Sequence, residues 1–153
     1  MIYDEKWALN EAVKYADISK CKSKRGVIIW NRFTGMVGAG WNRPPFPFKC
    51  DGSEECRCDC AKTAVHAEQV ALLDMISSNR SSHPYECEML HVKSVDGIPV
   101  FSDKPSCWQC SKLILEAKIP VMWLYLKDGL KSYTSEEFHQ ITLYNNNLYT
   151  NKY

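Results

Sequence analysis

The chain has 153 residues, 45% of them hydrophobic and 24% charged, with a formal net charge of +1. This composition is ordinary for one globular domain over residues 1–153 and excludes a disordered or fibrous chain. A net charge near zero also excludes a general electrostatic attraction to nucleic acid or to an anionic membrane.

The first residues carry acidic groups and no long apolar core, so the sequence predicts no secretory signal. No apolar stretch approaches the roughly 20 residues that a membrane-spanning helix needs. We therefore expect a cytoplasmic protein without membrane contact. The eight cysteines are then expected to bind metal or take part in catalysis, and a disulfide scaffold is the less favoured alternative.

Helical and strand patterns alternate from the N-terminus. The apolar spacing over residues 4–18 predicts a helix with Asp4 as its N-cap. Residues 20–25 (KCKSKR) follow as a local basic run, which is either a solvated loop or a phosphate-binding patch. Two short strands, 26–30 and 36–41, are separated by turn residues and predict a β-hairpin.

Residues 42–61 contain three prolines and four cysteines and predict a loop, which at this length is unusual unless it is functional or clamped by metal. Residues 63–77 predict a nearly all-apolar helix that we expect to be buried. The remaining predicted elements are a strand (89–95), a helix (107–117), two strands (119–126 and 130–133) and a helix ending near residue 144, before a frayed tail. This order favours a sheet with helices on both faces.

Two short motifs carry the chemistry. His66-Ala67-Glu68 is followed 39 residues later by Pro105-Ser106-Cys107-Trp108-Gln109-Cys110. One imidazole and two thiols with an open fourth position are a typical ligand set for a catalytic zinc. Both thiols can reach one metal because residues three apart share a helix face. Taken singly, each group has a structural interpretation, as a packed histidine, a structural or redox CxxC, or a surface acid.

Together, the two motifs resemble the cytidine/deoxycytidylate deaminase family of zinc enzymes. The resemblance covers roughly residues 4–143. It implies a three-layer α/β/α cytidine deaminase-like fold with a five-stranded mixed sheet. Because Asp128-Gly129 leaves room only for a hairpin, the last two strands are predicted to be antiparallel.

The resemblance also implies the roles of the motif residues. His66, Cys107 and Cys110 would bind the catalytic Zn²⁺. Glu68 would be the catalytic acid and base, moving protons from the attacking water to ring N3 and to the leaving amino group at C4 of cytosine. One departure from the family is that Ser106 separates the proline from the first cysteine, so the backbone beside the scissile group can differ.

Several residues are predicted to contact the substrate. Gly40-Trp41-Asn42 resembles the family's Gly-x-Asn segment, whose asparagine contacts the sugar, although a simple turn asparagine is an alternative for Asn42. Ala67 and Ser106, which adjoin the ligands, are assigned to the same pocket. Trp108 is the favoured residue for stacking on the base because it lies between the two thiols. The other aromatic candidates are Trp41, Phe46 and Phe48.

A second metal is implied by cysteines outside the two motifs. Bacterial and phage-type deoxycytidylate deaminases carry one cysteine before the first strand and others ahead of the His-Ala-Glu motif. Cys21, Cys50, Cys56 and Cys60 match that order, and Cys58 is an alternative ligand. Four thiolates would form a closed structural Zn²⁺ site that holds the long loop. A set of free thiols is the alternative.

The resemblance points to two branches of the family. The cysteines resemble deoxycytidylate deaminase, whereas residues 128–138 resemble free cytidine deaminases, which form tetramers. We therefore expect a deaminase of a free nucleoside or nucleotide (cytidine, deoxycytidine or dCMP) that forms a homo-oligomer, whether dimer, tetramer or hexamer. Nucleic acid is the less favoured substrate, since a single-stranded polymer would need a basic, aromatic groove. A non-catalytic zinc-stabilised binding module is the other alternative.

Overall fold

A mixed β-sheet with helices on both faces organises the chain. The computed structural model describes residues 2–78, 82–102 and 107–148, without the side chains of residues 58–61. In chain order the elements are α1 (Glu5–Ile18), β1 (Lys24–Asn31), β2 (Gly35–Trp41), α2 (Glu54–Thr63), α3 (Ala67–Ser77), a 3₁₀ turn (Pro84–Glu86), β3 (Glu88–Val95), β4 (Ile98–Val100), α4 (Trp108–Glu116), β5 (Val121–Leu126), β6 (Gly129–Thr134) and α5 (Ser135–Asn145).

The strands follow the order β2-β1-β3-β5-β6, and β4 pairs with the end of β3. Within the described chain β3 and β5 form the parallel pair, and the other neighbours are antiparallel. The antiparallel β5–β6 hairpin confirms the predicted direction of the last two strands. The predicted count of five strands omits β4, a three-residue strand that folds back on β3 after the Asp96-Gly97 turn.

Two apolar layers lie on opposite faces of the sheet, because successive strand residues point to opposite sides. Val27 and Ile29 face the cluster that contains residues of α3, α4 and α5. Ile28 and Trp30 face the cluster formed with α1. The three-layer α/β/α prediction is therefore confirmed.

Small residues bring α1 close to the sheet. Asp4 caps the helix as predicted, accepting a hydrogen bond from the backbone N–H of Trp7 at 2.8 Å. Ala8, Ala12 and Ala16 are fully buried. A Cβ atom at Gly26 of β1 would overlap the carbonyl oxygen of Ala12, so this contact requires glycine.

Two predicted segments differ from the structure. The predicted loop over residues 42–61 contains the start of α2, which has a polar sequence without an apolar period. The predicted helix over residues 63–77 begins only at Ala67, because Arg43 and Val65 form an antiparallel bridge that holds the preceding backbone extended.

The helix α3 is also less buried than predicted. Leu73 is 61% exposed and Ile76 is 73% exposed. One side of α3 packs on the sheet, and these two side chains lie on the side that the sheet does not cover. None of the described helices has both the length and the apolar character required to cross a bilayer. Residues 149–153 of the predicted frayed tail lie outside the described residues.

Candidate active site

The first motif lies where α3 begins. His66 is the N-cap residue, with extended backbone, and its N–H donates to the side-chain oxygen of Gln69 at 3.0 Å. This hydrogen bond fixes the backbone that carries the imidazole. Ala67 and Glu68 occupy the first turn of α3 and are buried.

The second motif lies where α4 begins. Cys107 is the N-cap residue, and its sulfur accepts a hydrogen bond from the backbone N–H of Cys110 at 3.4 Å. The Nδ1 atom of His66 lies 3.2 Å from the sulfur of Cys110. The three predicted ligand atoms all lie within 4.8 Å of one another. Zinc bond lengths of about 2.0–2.3 Å place ligand atoms at similar separations, so these residues fit a zinc ion.

The electrostatics of this cluster favour a thiolate. The pKa of Cys107 is lowered to about 4, chiefly because it accepts a hydrogen bond from the Cys110 side chain. The pKa of Cys110 is raised by that same hydrogen bond and by burial. Hydrogen bonding to Cys107 raises the pKa of His66. The thiolate is the form that binds metal, so the lowered pKa of Cys107 favours cation binding at neutral pH.

Glu68 meets a buried histidine that the sequence interpretation missed. Its Oε1 atom lies 3.6 Å from Nε2 of His91 on β3, and both side chains are more than 90% buried. Burial lowers the pKa of His91, and the carboxylate of Glu68 opposes this effect. His91 shares the inward face of β3 with Met89, so a histidine within an apolar strand was the available signal.

Glu68 opens into a cavity of about 270 Å³. The described lining combines the first turn of α3 with residues from β3, from the start of β1 and from the end of β2. The lining residues are Cys21, Lys22, Ser23, Arg25, Asn42, Ala64, His66, Ala67, Glu68 and His91. The structure thus brings His66, Ala67, Glu68 and Asn42 together at one cavity. Ser106 lies outside the described residues.

Asn42 lines this cavity, and its side-chain amide already makes two hydrogen bonds within the protein. Its Oδ1 accepts a hydrogen bond from the backbone N–H of Arg25 at 2.8 Å, and its Nδ2 donates to the carbonyl of Ser23 at 2.6 Å. A side-chain amide can donate twice and accept twice. Asn42 therefore holds residues 23–25 in place and keeps one N–H and one lone pair for a ligand.

Comparisons with known proteins identify the fold. No protein-family model and no curated protein matches the sequence. The structure is similar to the dCMP deaminase of cyanophage S-TIM5, solved with dCMP and dUMP, with a TM-score of 0.54 and 26% identity over 76% of this chain and 77% of that one. The chain has the fold of the cytidine and deoxycytidylate deaminases. The resemblance drawn from the two motifs is thereby confirmed.

Two cytidine deaminases have the same fold at lower sequence identity. The Burkholderia pseudomallei enzyme gives a TM-score of 0.56 and 16% identity over 86% of this chain and 93% of that one. The Mycobacterium leprae enzyme gives a TM-score of 0.52 and 15% identity over 84% and 94%. The structure is thus similar to enzymes of both branches.

The aromatic candidates lie away from the Glu68 cavity of this deaminase fold. Trp41, Phe46 and Phe48 line a separate groove of about 440 Å³. Trp108 is half-buried, and the ammonium of Lys112 lies 5.0 Å from its ring centroid. Among the described residues no Phe, Tyr or Trp side chain lines the cavity of Glu68. Stacking by Trp108 therefore stays a prediction.

Three of the cysteines outside the motifs form a second cluster. Cys21 and Cys50 are buried together, and Cys56 packs against them. The potential ligand atoms of Cys50, Asp51 and Cys56 lie within 4.8 Å of one another. Asp51 is a possible ligand that the sequence interpretation missed. The side chains of Cys58 and Cys60 lie outside the described residues.

Proposed function

We propose that the chain is a zinc-dependent hydrolytic deaminase that converts the cytosine ring of a free nucleoside or nucleotide to uracil. The observation that carries the proposal is a buried carboxylate, Glu68, at one cavity with His66, beside Cys107 and Cys110. A purely structural zinc site is closed by four ligands and has no use for such an acid. The fold shared with enzymes of this reaction class supports the proposal.

His66, Cys107 and Cys110 would hold the metal. A Zn²⁺ ion held by these residues would lower the pKa of a water molecule and so make a nucleophile available at neutral pH. Glu68 accepts a proton from the attacking water and delivers protons to ring N3 and to the amino group. His91 contacts Glu68 from the sheet and limits the directions in which the carboxylate can turn.

The reaction balances without a further reactant. Water supplies the oxygen that bonds to C4. Glu68 transfers one of the two protons of water to ring N3 and the other to the amino group, the C4–N bond breaks, and ammonia leaves. The products are the uracil compound and ammonia, so no oxidant or reductant is required.

The experiment compares four compounds with the zinc-loaded protein: cytidine, deoxycytidine, dCMP and a cytosine-containing single-stranded DNA oligonucleotide. We expect the ultraviolet absorbance change of deamination with at least one free compound, lost on chelation and restored by zinc. Deamination of the oligonucleotide alone would favour a polymer substrate. Stoichiometric zinc without turnover of any compound would favour a non-catalytic binding module.

A polymer substrate remains the second candidate because of the groove near β2. Phe46 and Phe48 are 88% and 74% exposed there. Lys20, Arg43 and Lys49 lie beside them. Exposed aromatic rings next to cations are the surface that single-stranded nucleic acid requires. The oligonucleotide in the assay tests this candidate directly.

We also infer a second, structural Zn²⁺ held by Cys21, Cys50, Cys56 and Cys60, with Cys58 or Asp51 as alternative ligands. Burial of the first two thiols beside Cys56 supports this inference. Four ligands from this set would connect the start of β1, the loop after β2 and α2.

Cys50→Ser is expected to lower the metal content from about two zinc ions per chain to about one. Cys87→Ala is the matched control, because Cys87 is also fully buried but packs in the main core. The measurement is elemental analysis of the purified, folded proteins. Wild-type protein with a single zinc ion that Cys50→Ser leaves unchanged contradicts the second site.

Self-association is the remaining part of the proposal. Leu73 and Ile76 of α3 and Leu113 of α4 are exposed and line one apolar groove of about 520 Å³. Clustered apolar side chains of this kind are typical of protein–protein contacts. They support the predicted homo-oligomer.

A further inference from the structure

Arg25 is a cation inside the cavity of the proposed active site. It is the second residue of β1 and is partly buried, and it lines the cavity together with Glu68. The sequence of the basic run over residues 20–25 fits either a solvated loop or a phosphate-binding patch. The structure favours the second interpretation for Arg25, because β1 begins within the run and places Arg25 in the cavity wall.

The guanidinium of Arg25 makes a hydrogen bond through one nitrogen and leaves another nitrogen without a partner among the described residues. Its backbone N–H donates to Asn42, and its Nε donates to the hydroxyl of Ser23 at 3.1 Å. The Nη1 atom is buried and has no hydrogen-bond partner within the described part of the chain. An unsatisfied buried donor on a charged group costs free energy, which a ligand acceptor can recover.

The charges on the cavity wall favour an anion at this position. Burial lowers the pKa of Arg25 from its usual value, and the Glu68 carboxylate opposes that effect. Lys22 adds a second cation to the described lining, against the single carboxylate of Glu68. The cations come from the β1 side, whereas Glu68 comes from α3. An anion near Arg25 therefore need not meet the acid that performs the chemistry.

A cytosine nucleotide offers one group of this kind. The ring and the sugar are neutral, whereas the 5′-phosphate is anionic and presents several acceptor oxygens. A guanidinium binds phosphate through charge-assisted, often paired hydrogen bonds. We propose that Arg25 makes the cavity selective for a cytosine nucleoside monophosphate over the corresponding nucleoside, with Lys22 as an auxiliary cation. This inference rests on the proposed deaminase function.

The test measures kcat/KM for dCMP and for deoxycytidine with zinc-loaded wild type, Arg25→Gln and Arg25→Lys. The wild type is expected to prefer dCMP by about 10- to 100-fold, the range of a charged hydrogen bond. Arg25→Gln should bring the ratio close to one, mainly by lowering the dCMP value. Arg25→Lys keeps the charge and should keep part of the preference.

Lys24→Gln is the matched control. Lys24 adjoins Arg25 on β1, so its side chain points to the other face of the strand, and it is not part of the described cavity lining. This substitution removes the same charge and should leave the ratio unchanged. An equal loss of activity on both compounds in Arg25→Gln that Arg25→Lys restores for both would indicate that Arg25 only balances the charge of Glu68, and would overturn the inference.

A binding measurement separates this inference from the proposed function. Calorimetric titration with dUMP and with deoxyuridine needs no turnover, and wild type should bind dUMP about 10- to 100-fold more tightly. Tighter binding of dUMP without turnover of either substrate would support Arg25 and contradict the deaminase proposal. Turnover of both substrates with equal kcat/KM would support the deaminase and overturn the role of Arg25. Equal binding of dUMP and deoxyuridine would overturn that role as well.

Discussion

Replacing Glu68 with glutamine is expected to lower turnover of the cytosine substrate by about 10²–10⁴-fold. Glutamine has the shape of glutamate but cannot take a proton from water and return it to the ring. The metal should stay bound, because the His66, Cys107 and Cys110 ligand atoms form their cluster without Glu68. The measurements are kcat by ultraviolet absorbance and zinc content by elemental analysis.

Glu136→Gln provides the control for that experiment. Glu136 is an exposed acid in the first turn of α5 and is absent from the described cavity lining. It should keep wild-type turnover. A Glu68→Gln protein with near-normal kcat would remove Glu68 from the reaction. Loss of zinc from that variant would instead make Glu68 a ligand.

Gly40→Ala is expected to destabilise the protein and to disturb the catalytic site together. A Cβ atom at Gly40 would overlap the carbonyl oxygen of Ala67 and lie 2.5 Å from the backbone nitrogen of Ala71. Both atoms belong to the α3 backbone, so no flexible side chain can move aside. Overpacking of this kind typically costs about 1–3 kcal/mol. Because α3 begins beside His66 and carries Glu68, its displacement should also lower turnover, by as much as about 10²-fold.

Denaturant unfolding and kcat/KM check this expectation. The comparison variant is Gly52→Ala, where an added Cβ meets no atom within 4 Å and only the positive φ of +82° resists the change. That strain costs about 1–2 kcal/mol. Gly52 is not part of the described cavity lining, so turnover should be preserved. A Gly40→Ala protein with wild-type stability and activity would show that α3 can move away from β2 without consequence.

The candidate site residues that belong to short sequence motifs could be predicted from sequence. The apolar period over residues 63–77 and the CxxC spacing after Pro105 predicted two helices beside the motifs, and the structure brings the imidazole and the thiols within 4.8 Å. The Asp128-Gly129 turn likewise predicted the β5–β6 hairpin. Each of these signals is local, because spacing within one element decides it.

The remaining features depend on contacts between distant segments. Arg25 enters the cavity only because β1 pairs with both β2 and β3, and His91 reaches Glu68 only because β3 lies next to β1, on which α3 packs. The helix α2 has no apolar period. Its local signal was a cap, since the Ser53 hydroxyl accepts a hydrogen bond from the N–H of Cys56 at 3.2 Å. A sequence pattern that records hydrophobicity alone does not detect that cap.

The candidate active site is assembled from elements that differ in what they contribute. The proposed catalytic acid and the imidazole lie at the start of α3, the thiols at the start of α4, and the cations at the start of β1. Asn42, at the end of β2, holds the segment that carries the cations through hydrogen bonds to the backbone of residues 23–25. Exchanging residues 22–25 between related chains should therefore redirect substrate preference while the reacting groups keep their positions. A short graft at one strand end thus becomes a practical route to redesigning this protein.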